Sequence, residues 1–294
     1  MSKGISIHIG MHHYDSEHYG DEGLLETCEQ DAMDMRDIAD SQNFDSTLLL
    51  TEEATCDKLI EKLRLASRTL VAGDMLFFSY SGHGGSVPDR DGDEGADDYA
   101  DETMCLYDRQ FIDDELAQLW TLFDEGVRIL VVSDSCHSGT VTKAPKIKKE
   151  DSDEDDIPAF KVKTLSYRKA LEVYRKNKTA YEELFENMLP VDKKEIKASI
   201  KLIAGCQDDE FSFVLPYAQN SLFTDKLNKI WDSGQFVGTT DEFFEQIKEA
   251  VSSVELKDEY GKILTQTPNL YTIGKEDPEF DSQRPFGIYE RGLI

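Results

Sequence analysis

FFSYSGHGGS (residues 77–86) and VRILVVSDSCHSGT (residues 127–140) decide how this chain is read. Each is an apolar run that stops abruptly in small polar residues. Each also stops on a residue with chemistry, His83 in one and Cys136 in the other, 53 positions apart. A strand covered on both faces reads as a near-continuous apolar run. In open α/β sheets, reactive groups gather just past the carboxyl ends of the strands. The two runs are therefore expected to act as beams whose following loops bring His83 and Cys136 together.

The rest of the chain fits that expectation. GISIHIG (4–10) alternates as a first strand, and LETCEQDAMDMRDIADSQ (25–42) carries apolar residues at helical spacing. STLLL (46–50) is a short strand, and TCDKLIEKLRLASRTL (55–70) an amphipathic helix with Thr55 as its N-cap. DMLFFSYSG (74–82) is a strand, IDDELAQLWTLF (112–123) a helix, and VRILVVSDS (127–135) another buried strand. Strands alternating with helices predict an α/β architecture, a mostly parallel central sheet flanked by helices on both faces. After Thr140 the pattern breaks. KAPKIKKEDSDEDDIPAF (143–160) has a basic run, an acidic run and two prolines, and reads as an exposed loop. SYRKALEVYRKNKTAYEELFENML (166–189) reads as polar helix on the surface. The sheet pattern resumes with SIKLIAGCQ (199–207), two helical stretches (221–234 and 239–253) and a last strand in QTPNLYTIG (266–274). This divides the chain into a region bearing both reactive residues (1–140), a charged and helical insertion (141–199), and a region that completes the sheet and a pocket (200–294).

A cysteine nucleophile needs a partner that favours the thiolate and then protonates the leaving amine, and histidine does both near neutral pH. Cys136 and His83 are the expected pair. The backbone N–H groups of Gly84 and Cys136 are the expected oxyanion donors. His137 follows the nucleophile directly, so it is expected to point away and be structural. Asp134 lies two residues before Cys136 and Ser81 two before His83, so strand alternation puts each on the side of its reactive neighbour. Carboxylates there suit a cation, and an arginine best of all.

YSGHG (80–84) and DSCHSG (134–139), in this order, resemble the two active-site motifs of the metacaspases and their prokaryotic relatives, cysteine peptidases of the caspase-like clan. The resemblance covers roughly residues 1–140, and IAGCQDDEFSFV (203–214) is similar to the family's smaller-subunit strand and pocket loop. It implies a caspase-like fold, a His83/Cys136 dyad, and cleavage of protein or peptide substrates after Arg or Lys, with an acyl-enzyme. It also implies that Asp31, which opens the helix after the first strand, lines the same pocket as Ser81 and Asp134. The chemistry requires no cofactor. Calcium is the activator the resemblance suggests, with Asp98, Asp101, Asp113 and Asp114 as metal carboxylates. A simply acidic loop is the other reading of that stretch. DRDGDEGADDYADE (89–102) packs eight carboxylates but is no EF-hand, since Glu94 stands at its sixth position and Ala100 at its twelfth. A further family aspartate falls near Lys143, a departure from the calcium pattern.

Composition narrows the alternatives. The 294 residues are 39% hydrophobic, enough for a core, and carry a net charge of −28. Phosphate binding needs a basic face, so nucleic acid is not an expected partner. No apolar run reaches the roughly 20 residues of a membrane helix, and the start of the chain is too short and strand-like for a signal peptide. Five scattered cysteines without a CxxC pair signal neither a disulfide framework nor a zinc site, so a reducing cytoplasm is expected. No Gly-rich phosphate loop follows the first strand. A catalytically silent caspase-like scaffold is the competing function. The insertion is rich in residues of the expected cleavage type, including Lys146, Lys148, Lys149, Lys163, Arg168, Arg175 and Lys178. It is expected to occlude the cleft until it is cut, by the enzyme itself or by an upstream protease.

Overall fold

The computed structural model describes residues 2–88, 100–136, 160–207, 210–258 and 261–289. The chain runs β1 (Gly4–Gly10), α1 (Ser16–Tyr19), α2 (Cys28–Ser41), β2 (Asp45–Leu50), α3 (Cys56–Thr69) and β3 (Met75–Ser81). It continues through β4 (Gly84–Pro88), β5 (Ala100–Cys105), β6 (Gln110–Ile112), α4 (Asp113–Trp120), β7 (Arg128–Asp134) and β8 (Lys161–Val162). Then come α5 (Tyr167–Lys176), α6 (Lys178–Asn187), β9 (Ser199–Ala204), β10 (Phe213–Val214), α7 (Leu222–Trp231) and α8 (Thr240–Ser252). The hairpin β11 (Leu256–Lys257) and β12 (Ile263–Leu264), the strand β13 (Asn269–Gly274) and α9 (Pro278–Asp281) close it.

The central sheet has the order β13-β9-β7-β3-β1-β2 and is parallel except for β13, which runs antiparallel to β9. β3 and β7 lie side by side in its middle, with every residue buried, as their unbroken apolar character requires. Alternation divides their side chains between two cores. Leu76, Phe78, Ile129 and Val131 meet α3 and α4, while Met75, Phe77, Leu130 and Val132 meet α2, α7 and α8. The same alternation sends Ser81 and Asp134, which are register partners, toward the α2 and α7 face.

Two stretches depart from the sequence expectation. The acidic stretch before the fourth helix does not stay a loop throughout. Asp101 and Glu102 belong to β5, the middle strand of a small antiparallel sheet β4-β5-β6. The insertion is also more than a polar surface helix. It breaks at Asn177 into α5 and α6, and Tyr174 and Tyr181 pack against Val87 and Ile112 of the small sheet. The charged stretch 143–159 and residues 89–99 lie outside the described residues.

At the end of β7 away from the reactive residues, Arg128 is buried and donates to Asp277 (2.8 Å), Glu279 (2.7 Å) and Gln283 (3.1 Å), fastening α9 to the sheet. Removing one member of a buried pair costs about 3–5 kcal/mol. The two acids keep some contact with water, which favours the lower end. Arg128→Ala should therefore lower the denaturant midpoint by about 3 kcal/mol of stability at unchanged m-value. A midpoint unmoved by the substitution would contradict this reading.

Candidate functional site

The site forms where β3 and β7 end. Tyr80, the penultimate residue of β3, reaches the carbonyls of His83 (2.7 Å) and Cys105 (3.0 Å) and sets the turn into β4. Gly84 follows at a place where a Cβ would stand 2.0 Å from the Cys136 carbonyl oxygen, so only glycine lets the two loops touch. His83 and Cys136, 53 positions apart in sequence, are thereby brought to one cleft.

The His83 ring donates from Nε2 to the carbonyl of Gly23 (3.0 Å). That bond leaves Nδ1 as the lone-pair nitrogen, and Nδ1 is shielded from water with no hydrogen-bond partner among the described residues. Burial lowers the imidazole from its ordinary value to about 4, although the residue as a whole is only partly buried, so at neutral pH it is an uncharged base. Gly23 sits at φ +52° under the Tyr14 ring, where a Cβ would meet that ring at 2.1 Å. The Cys136 thiol is buried and accepts the Ser212 backbone N–H (2.6 Å), and no hydrogen bond joins it to His83.

Asp31, Ser81 and Asp134 converge on the α2 and α7 face, and their pocket is filled from within the chain. The ammonium of Lys163, wholly buried, donates to Ser81 Oγ (2.8 Å), Ser221 Oγ (2.8 Å) and Asp31 Oδ2 (3.0 Å), and lies 3.1 Å from Asp134 Oδ2. Burial pulls this ammonium toward neutrality, but Asp134 and Asp31 outweigh it and hold it protonated, above the ordinary lysine range. Burial likewise works against the Asp134 carboxylate. Lys163 and the hydroxyls of Ser212, Ser221 and Thr224 nevertheless keep it below the ordinary range. Asp31 is raised, by burial first, because two carboxylates share one cation. It also accepts the Ser221 N–H (3.1 Å) at the N-cap of α7 and the Asn220 amide (3.0 Å).

The backbone of Lys163 is held as firmly as its side chain. The N–H groups of Gly84 and Cys136 both donate to the Lys163 carbonyl oxygen, at 3.0 and 3.1 Å. The Lys163 N–H donates to the Ser212 carbonyl (3.1 Å) and the Leu165 N–H to the Gly84 carbonyl (2.7 Å). Before Lys163 the segment pairs antiparallel with β10. After it, Thr164 bridges Gly84 in the parallel sense. An extended peptide thus crosses the cleft with one carbonyl in the two-donor hole and one cation in the acidic pocket.

Ser221, Thr224 and Gly23 were not signalled by motif, and Ser212 lies in the 203–214 pocket-loop stretch without being singled out there. Each contributes a backbone group or a hydroxyl whose value depends on where the chain returns, and nothing local distinguishes it. Of the suggested metal carboxylates, Asp98 lies outside the described residues, as does His137. Asp101 is buried in β5, and Asp113 and Asp114 open α4. Among the described residues no three acidic, histidine or cysteine side chains converge as a metal site. The described carboxylates therefore do not form a calcium cage by themselves. No helix among the described residues is long and apolar enough to cross a membrane.

Residues 6–145 match the model of the metacaspase, peptidase C14 domain. Curated relatives include Metacaspase-1 of Arabidopsis thaliana, 39% identical over 136 residues, which are 41% of this chain and 36% of that protein. Another is Metacaspase-1 of Pyricularia oryzae, 32% identical over 152 residues, covering 44% of this chain and 36% of that protein. The matched stretch thus spans about a third of the length of these relatives. The crystal structure of protein GSU0716 from Geobacter sulfurreducens superposes with a TM-score of 0.82 at 38% identity, covering 98% of this chain and all of that one. A helix-flanked, mostly parallel sheet with both motifs at its strand ends is the caspase-like fold. Over residues 6–145, just under half of its length, the chain carries a metacaspase, peptidase C14 domain.

Proposed function

We propose that this protein is a cysteine endopeptidase that cuts polypeptides after Lys or Arg and is held inactive by its own insertion. The observation that carries the reading is Lys163, whose ammonium fills the Asp31/Asp134 pocket while its carbonyl takes both backbone donors. In the reaction, His83 Nδ1 takes the Cys136 proton and the thiolate attacks the carbonyl carbon of the basic residue. The oxyanion is met by the Gly84 and Cys136 N–H groups. The imidazolium then protonates the departing amine, leaving a thioester that water hydrolyses to regenerate the thiol.

The same alignment makes Lys163–Thr164 the bond the enzyme cuts in itself. After cutting, Thr164 onward stays anchored, because α5 and α6 grip the body. Lys169 pairs with Asp21 (2.7 Å) and Tyr181 meets His18 (3.1 Å). The segment ending in Lys163 is released from its downstream tether and can leave the pocket. Calcium, if it acts, acts as an activator outside this path. Protein substrates with basic cleavage residues are the proposed partners.

Fluorogenic peptides ending in Lys, Arg or Asp test the reading. The first two should be hydrolysed and the Asp-ended one should be inert. Cys136→Ala should abolish turnover. Asp134→Asn should lower kcat/KM about 10²- to 10⁴-fold, the equivalent of breaking a buried charge pair. Equal hydrolysis of Asp- and Lys-ended peptides would overturn it. If the protein hydrolyses none of them even when nicked after Lys163, a silent binding domain becomes the better account.

Because burial lowers the His83 imidazole, the base stays unprotonated well below its ordinary range. Self-cleavage should therefore persist as pH falls through 6.5 and fail only as it nears 4. Single-turnover nicking rates across pH 4–8 read this directly. An acid limb centred at or above 6.5 would contradict it.

A further inference from the structure

The segment that occupies the cleft also records what lies beside the cationic pocket. Along an extended strand, side chains alternate, so 161 and 163 face one way and 160 and 162 the other. Lys161 faces the loop before α2, where its ammonium reaches Glu26 Oε1 (2.6 Å) and the Leu24 carbonyl (3.2 Å). On the opposite side, the Phe160 ring stands edge-on to Phe213, with centroids 5.2 Å apart and planes at 89°. Val162 is the register partner of Phe213. Both Phe160 and Val162 pack onto a buried apolar cluster containing Phe211, Phe213 and the candidate nucleophile, and Leu256 and Leu264 of the β11–β12 hairpin pack onto it as well.

Resting on the peptidase reading above, we infer that Phe211, Phe213 and the β11–β12 hairpin form a recognition groove for the residues before the cut. The groove takes an apolar, preferably aromatic, side chain at the fourth residue before the scissile bond and an aliphatic one at the second. Glu26 on the facing rim favours a basic third residue. The substrate class is an extended segment that alternates apolar and basic residues and ends in Lys, with Phe160–Lys163 as its internal template. The two apolar positions dominate, because aromatic and aliphatic burial is retained in salt. The Lys161–Glu26 contact is exposed on both sides and is worth little.

The test is a panel of tetrapeptide aminocoumarins on the full-length protein: Phe-Lys-Val-Lys against Asp-Lys-Val-Lys, Phe-Lys-Asp-Lys and Phe-Asp-Val-Lys. Replacing either apolar residue should lower kcat/KM about tenfold or more. Replacing the basic third residue should cost about twofold, an effect that fades with added salt. Phe213→Leu should narrow the Phe-over-Asp preference at the fourth position, while the Lys-over-Asp preference at the first stays. Equal hydrolysis of all four peptides would overturn the groove and leave the peptidase reading intact. Failure to hydrolyse any Lys-ended peptide would count against the peptidase reading instead. The groove is then read by binding of dye-labelled Phe-Lys-Val-Lys and Asp-Lys-Val-Lys to the Cys136→Ala/Lys163→Gln protein. Tighter binding of the first supports it, and equal affinity overturns it.

Discussion

The buried ammonium of Lys163 organises the cleft of this molecule. Lys163 is sealed from water, yet it remains charged because Asp31 and Asp134 stand within 3.0 and 3.1 Å and two hydroxyls accept its remaining N–H groups. Withdrawing such a charge from water costs several kcal/mol, and only close, well-bonded partners offset it. The balance also runs the other way. Two buried carboxylates facing each other without a cation repel, so the pocket demands an occupant of opposite charge. One geometry therefore accounts for a cleft that holds its own chain and underlies the proposed preference for basic substrates.

The pocket exists because of where β3 and β7 place their last residues. The two strands are register partners, so Ser81 and Asp134 leave the sheet on the same face. That face is covered by α2, which carries Asp31 in its first turn, and by α7, which is entered through Ser221. Positive helix ends near the carboxylates add to their stabilisation. His83 and Cys136 lie one loop beyond, and the absence of a side chain at Gly84 lets those loops approach. The apolar runs that make the strands buried are thus the same feature that fixes the distance between pocket and thiol.

Much of this was legible in the chain because the signals were local. An apolar run ending in Gly and Ser around a histidine, and another around a cysteine, define their own strands and loops. Alternation then assigns Ser81 and Asp134 a side. The small sheet was not legible, since β5 begins in the acidic stretch and its apolar content is too thin to show a period. Neither was the burial of Tyr174 and Tyr181, whose helices look polar until the small sheet is there to receive them. Lys163 stood among fourteen basic residues of the insertion, and nothing nearby set it apart. Its distinction is a fit to residues 30 to 130 positions away, visible only once β10 and the α7 cap have folded against it.

The most direct measurement of the account is the mass of the new termini that form when purified wild-type protein and Cys136→Ala are incubated side by side, with and without calcium. The account predicts that wild type acquires one dominant new N-terminus at Thr164, matched by a fragment ending at Lys163, and that Cys136→Ala stays whole. A wild-type protein that hydrolyses Lys-ended peptides at full rate with the Lys163–Thr164 bond intact would contradict it.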